Sequence, residues 1–204
     1  MSSTTGTTAA TERALMYGPN LTSAALLLLR LLLGVLLAAH GGLKFLQRGG
    51  LDFEADLLRK DGLRGGRAAA ALSGITQVGA GAMLAAGMFV PLAGAAALGA
   101  MVVAVLAKAR NGFWVVDDGA EFPLIFVVLA VAATMAGPGR WSLDHVLAVR
   151  PTSGEIFAAL ALGLTAGAAT FQVLRQHRPD PSALQPAATA APAADGPSQK
   201  EDKT

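Results

Sequence analysis

Arg30, His40 and Lys44 stand within or at the edge of a single apolar run, where a charged or titratable side chain must have something to bind. A guanidinium at mid-membrane costs roughly 2.5 to 3.5 kcal/mol on insertion scales, so such a residue faces a bundle interior, a cavity or a partner, or else snorkels to the headgroups. At helical spacing Arg30, Gly34, Leu37, Gly41 and Lys44 fall on one stripe. The two glycines would let a backbone or a flat ligand approach between two cations about 21 Å apart. The plainer alternative has Arg30 at the outer headgroups and Lys44 marking a membrane boundary. His40, one turn before Lys44, would set an imidazole beside an ammonium, which suits a proton relay; a lone membrane histidine equally serves to bond a neighbouring helix.

A second group lies between Arg110 and Glu121. Arg110, Asn111, Phe113, Trp114 and Glu121 combine an aromatic wall with a few polar groups, the combination a quinone head group needs for stacking and for hydrogen bonds to its carbonyls. Against this, Glu121 is favoured at a helix start on dipole grounds alone, and Trp114 and Trp141 are ordinary interfacial aromatics. Gln77, amid Gly74, Gly79 and Gly81, offers an amide that could bond across a close helix contact. Gly163 and Gly167 form a GxxxG match, a common pattern in Ala/Gly-rich helices. His145 and His177 lie in a loop and in the tail, so no paired histidines are expected to hold a haem or metal.

The elements that must position these residues are membrane spans. With 53% hydrophobic residues, 15% charged and a mean hydropathy of +0.50, the 204-residue chain reads as all-α, a multi-pass transmembrane helical bundle. Five apolar runs are expected to be helices, at about 22–45, 67–90, 92–109, 122–137 and 155–174, with Pro91 as the break between the second and third. Residues 1–20, Ser/Thr-rich and without an apolar h-region, are expected to be a flexible N-terminal segment with no cleavable signal. The Pro/Ala-rich stretch 176–204 cannot bury a core and is expected to be disordered. Between the first two runs, Phe53, Leu57 and Leu58 predict a short interfacial helix with its Leu/Phe side in the headgroups.

Lysine and arginine collect on one side of this arrangement, from Lys44 through Arg110 to Lys203, against only Arg13, Arg140 and Arg150 on the other. The predicted orientation is N-terminus outside and C-terminus in the cytoplasm. Basic residues confined to loops and a net charge of +2 do not favour nucleic-acid binding, and zero cysteines exclude a disulfide or thiolate chemistry of the chain's own.

The residues Arg30 to Gly34, Gly41-Gly42-Leu43-Lys44, the Gly/Ala-rich run 74–87, and the segment from Arg110 through Gly137-Pro138-Gly139-Arg140-Trp141-Ser142 to Asp144 together resemble the DoxX family of small bacterial membrane proteins. The resemblance covers roughly 26–144. It implies a four-helix core, to which a fifth C-terminal helix is added here, in a bacterial plasma membrane. It also implies association with redox systems, since members include a subunit of thiosulfate:quinone oxidoreductase and a membrane partner of superoxide dismutase and a sulfurtransferase. A carboxylate is implied near position 77, where this chain has glutamine. The expectation is a membrane subunit or anchor of a redox complex that presents a quinone to a soluble or membrane enzyme, with homo-oligomers as a further partner class. A self-contained quinone-linked oxidoreductase component and a small permease are the alternatives.

Overall fold

The computed structural model describes the backbone of residues 4–175 and the side chains of residues 20–175. Among the described residues seven α-helices run in order: α1 Thr4–Leu46, α2 Gly50–Lys60, α3 Gly66–Ala86, α4 Val90–Lys108, α5 Glu121–Ala136, α6 Leu143–Val146 and α7 Ser153–Leu174. Among the described residues there is no strand, only an isolated antiparallel bridge between Leu63 and Arg175. The expected tail 176–204 lies outside the described residues. Within the expected N-terminal segment the backbone is helical from Thr4, and Asn20–Leu46 is the part of α1, among the described residues, long and apolar enough to cross a bilayer. With Pro19 as the first proline in the chain, nothing earlier forces a break.

Four helices are long and apolar enough to cross a bilayer, over Asn20–Leu46, Gly66–Ala86, Val90–Asn111 and Ser153–Leu174. Helix α5 is shorter, with 16 residues, about 24 Å at the usual rise. It nonetheless carries the chain from the end of the bundle that holds Lys44 to the end that holds Arg30, because α4 finishes beside α2 through Lys108 and Asp61 while the segment after α5 bonds Arg30. Helix α7 then returns, and Leu174 accepts from the backbone N–H of Arg64 at 2.7 Å at the Lys44 end. The chain therefore passes the length of the bundle five times.

Helix α4 lies at the centre, against α3, α5 and α7, while α1 packs on α3. The main core joins Leu33 and Leu37 of α1, Leu84 of α3, Val90 and Leu98 of α4, and Phe126 and Ala130 of α5. Lipid tails are as apolar as leucine, so helix pairing here must come from close packing rather than from escape from water. Two glycine seams provide it. A Cβ placed on Gly81 of α3 would stand 2.5 Å from the carbonyl oxygen of Gly34 on α1, and one on Gly41 would stand 2.7 Å from that of Gly74. The same holds between α7 and α4, where a Cβ on Gly163 would lie 2.6 Å from the Ala95 oxygen and one on Gly167 2.7 Å from the Gly99 oxygen.

The break between α3 and α4 falls at 87–89, ahead of the proline expected to make it. Gly87, with φ +67, closes α3 in the left-handed conformation, and Pro91 sits inside the first turn of α4, where its missing N–H costs nothing. Helix α2 also departs from expectation. Its Gly50 and Ala55 are buried, and Leu51, Leu57 and Leu58 are half-buried, so its apolar side faces the bundle. Only Phe53, at 70% exposure, projects outward, alongside Asp52, Asp56, Arg59 and Lys60. Covering the bundle end satisfies the leucines better than the headgroups would, and it leaves the charged side to water.

Candidate functional site

The five residues of the α1 stripe, Arg30, Gly34, Leu37, Gly41 and Lys44, are all buried. Arg30 does not snorkel; it is 1% exposed and donates through Nη2 to the Trp141 carbonyl at 2.6 Å and through Nη1 to the Leu84 carbonyl at 3.4 Å. Its guanidinium presses on Gly87, where any side chain would collide with it. Asp144, wholly buried, lies close enough to act on Arg30 electrostatically without a direct ion pair. The Asp144 carboxylate accepts from the backbone N–H groups of Phe89 at 2.7 Å and Val90 at 3.0 Å, and its own N–H donates to Gly87 O at 2.9 Å. It thus caps α4 from 54 residues away in sequence. The cap also fixes Phe89, whose φ of +46 is unusual for a bulky residue. Arg30 and Asp144 together clamp the segment after α5 onto the tops of α1, α3 and α4.

A second polar centre occupies the opposite end. Lys44, 6% exposed, pairs with Glu54 of α2 at 2.5 Å and donates to Ser73 Oγ of α3 at 3.0 Å. Gln77 reaches the same hydroxyl at 3.4 Å, so its amide bonds within its own helix rather than across the interface. Gln77 Oε1 and, in the first centre, Arg30 Nε are buried without a partner among the described residues. His40 is exposed on the lipid side of α1, one turn from Lys44, and makes no hydrogen bond among the described residues.

A third group closes the loop between α4 and α5. Lys108 pairs with Asp61 at 3.2 Å and with Asp118 at 2.6 Å, tying α2, α4 and the loop together. The Asn111 amide donates to the Asp118 carbonyl at 3.2 Å, and the Glu121 carboxylate accepts from Val115 N–H at 3.0 Å. These two side chains are spent on the loop's own shape. Arg110, Phe113 and Trp114 remain exposed, the two rings meeting edge to face at 5.2 Å.

The nine residues singled out by type and spacing thus divide among three places, and they do not fit one quinone ring. Arg30 is at one end of the bundle, with Glu121 and Trp114 at the other, and the polar groups of Arg30, Lys44, Asn111 and Glu121 are already engaged. Sequence reasoning gives no role to Asp144, Glu54, Ser73, Asp61 or Lys108, which complete the three groups. Glu54 alone carries a usable signal: it shares the inward face of α2 with Leu51, Ala55 and Leu58, where an unpaired carboxylate would be costly.

Among the described residues, five apolar helices, a glycine-packed interior and buried charged side chains toward either end define a multi-pass α-helical membrane protein. Residues 25–110 match the DoxX family model, a likeness that covers less than half of the chain. The matched stretch takes in the apolar part of α1 and all of α2, α3 and α4; α5 and α7 lie beyond it. No curated protein and no solved structure matches the chain.

Proposed function

We propose that this chain is a membrane subunit that anchors a redox complex in a bacterial plasma membrane, with its N-terminus outside and the Lys44 end toward the cytoplasm. One observation carries the anchor reading: both cations inside the span, Arg30 and Lys44, are bound by groups of the bundle itself. At the Lys44 end a charged surface is open to another molecule on the outer side of α2, where exposed Asp52 pairs with Arg67 and Asp56 with Arg59. Such a rigid, water-facing helix suits docking by a soluble enzyme. The resemblance to DoxX supports a redox partner over other kinds. Any quinone the subunit presents is held at this same end, against the lipid-facing Phe113 and Trp114 with Arg110, since Arg30 is on the far side of the membrane from them.

Affinity purification of a tagged copy from native membranes in mild detergent tests the proposal. Recovery of a dehydrogenase, dismutase or sulfurtransferase in stoichiometric amount is expected, and a variant with Asp52→Lys and Asp56→Lys should lose it while reaching the membrane at normal levels. Recovery of the chain alone would overturn the reading.

A further inference from the structure

The α2–α3 turn gathers cations that have no acidic partner among the described residues. Arg110 Nη1 lies directly over Gly62, so that a Cβ there would be 3.0 Å from it. Lys60 and Arg64 flank Gly62 by two residues on either side. Arg64 donates to the Arg175 carbonyl at 3.2 Å, and the Leu63–Arg175 bridge sets Arg175 beside the same turn. All four cations are exposed, and none has an acidic partner among the described residues. The nearby acids Asp61 and Asp118 are taken by Lys108, which leaves exposed Asp117 as the loop's remaining carboxylate. Four like charges held around one turn attract a multivalent anion.

Next to them the loop between α4 and α5 projects four consecutive apolar residues, with Phe113 51%, Trp114 61%, Val115 55% and Val116 86% exposed. The loop is stiff: Ala120 N–H bonds Gly112 O, Glu121 N–H bonds Phe113 O and Gly119 N–H bonds Trp114 O. Helix α5, which follows, is about 6 Å too short for a hydrocarbon layer of roughly 30 Å. The exposed apolar tip is continuous with the lipid-facing Phe122, Ile125 and Val128 of α5 and supplies the missing depth at this end. An exposed apolar tip next to a cluster of cations has the two kinds of surface that a phospholipid leaflet engages, acyl chains and anionic headgroups.

We propose that Lys60, Arg64, Arg110 and Arg175 form a headgroup site for anionic phospholipid, with Phe113 to Val116 seated in the acyl boundary beneath it. The site shares Arg110, Phe113 and Trp114 with the quinone placement above but not the docking side of α2, so its failure would leave the anchor reading untouched. The full chain has two tryptophans, and Arg30 binds the backbone of Trp141, so Trp141→Phe leaves the Arg30 bond intact and makes Trp114 the sole fluorescent reporter. In nanodiscs of phosphatidylglycerol, Trp114 should emit in the blue and be quenched by lipids brominated near the headgroup, but not by aqueous iodide. Native mass spectrometry with phosphatidylglycerol and phosphatidylcholine should show preference for the former. Replacing all four cations by glutamine should cut that preference at least tenfold, and Arg140→Gln with Arg150→Gln at the other end should leave it unchanged. Equal binding of the two lipids, or a quadruple variant that binds phosphatidylglycerol as the parent does, would overturn the proposal. So would a Trp114 that iodide quenches in the nanodisc, the result expected if the tip is reserved for a protein partner.

Discussion

Arg30 and Asp144 are the two residues whose loss the bundle tolerates least. Removing one of two buried, electrostatically interacting charges leaves the other less compensated, at a cost of up to about 3 to 5 kcal/mol. Arg30→Met should therefore lower unfolding stability in detergent by that order, and Asp144→Asn by less, about 1 to 2 kcal/mol, because the amide oxygen still caps one of the two N–H groups of α4. The double variant should lose clearly less than the sum, since each change removes the partner the other strands. Strict additivity in thermal or denaturant unfolding would separate the two residues energetically. Arg30 is legible in the sequence as a charge in an apolar run; the choice between facing inward and snorkelling is not, because it depends on Trp141 and Asp144, more than 110 residues downstream. Asp144 itself reads as a loop acid until the fold brings it to the start of α4.

At the level of elements, the glycine seams decide which helices pair. Gly81→Leu should separate α3 from α1, and Gly163→Leu should separate α7 from α4, because each new side chain meets backbone rather than a movable side chain. Disulfide crosslinking between cysteines introduced at Leu37 and Ala80, both buried in the core of the α1–α3 pair, reads the first change; loss is expected with Gly81→Leu and retention with Gly163→Leu. Retention in both would mean that the seam does not hold the pair. The existence of the helices is legible, since length and hydropathy decide it, but α1 starts at Thr4, well before the expected 22. Their ends are less so: Pro91 signals a break, yet the chain turns at Gly87 because a remote carboxylate caps α4 there. The Gly163/Gly167 pair looks ordinary among so many small residues, and only the partner helix shows that it is in use. That Arg30 and Glu121 lie at opposite ends of the bundle is not legible either, since spacing along one helix says nothing about which end a later loop reaches.

For the whole molecule the decisive quantity is the number of passes. Five passes place Arg140 and Lys60, both exposed, at opposite ends of the bundle. The native chain has no cysteine, so single replacements report cleanly. Arg140→Cys should react with a membrane-impermeant maleimide on intact cells, and Lys60→Cys only after permeabilisation. Reaction of both from outside would refute the alternation of helices, and the reverse pattern would invert the orientation. Composition and the lopsided distribution of lysine and arginine make the class of protein legible in the sequence, because a bilayer imposes coarse rules. How the interior charges are neutralised is not legible there, because it is a matter of contacts between helices.

The pairing of α4 with α7 has a consequence for the order in which the protein is made. A ribosome delivers α4 long before α7, with α5 and the Arg140 segment in between, so for that interval the Ala95 and Gly99 groove of α4 has only lipid against it. Completion must wait for the last helix to leave the insertion machinery and slide in from the edge. A chain stopped before residue 153 would expose a bare glycine track in the bilayer, a mark by which membrane proteases could tell unfinished copies from finished ones.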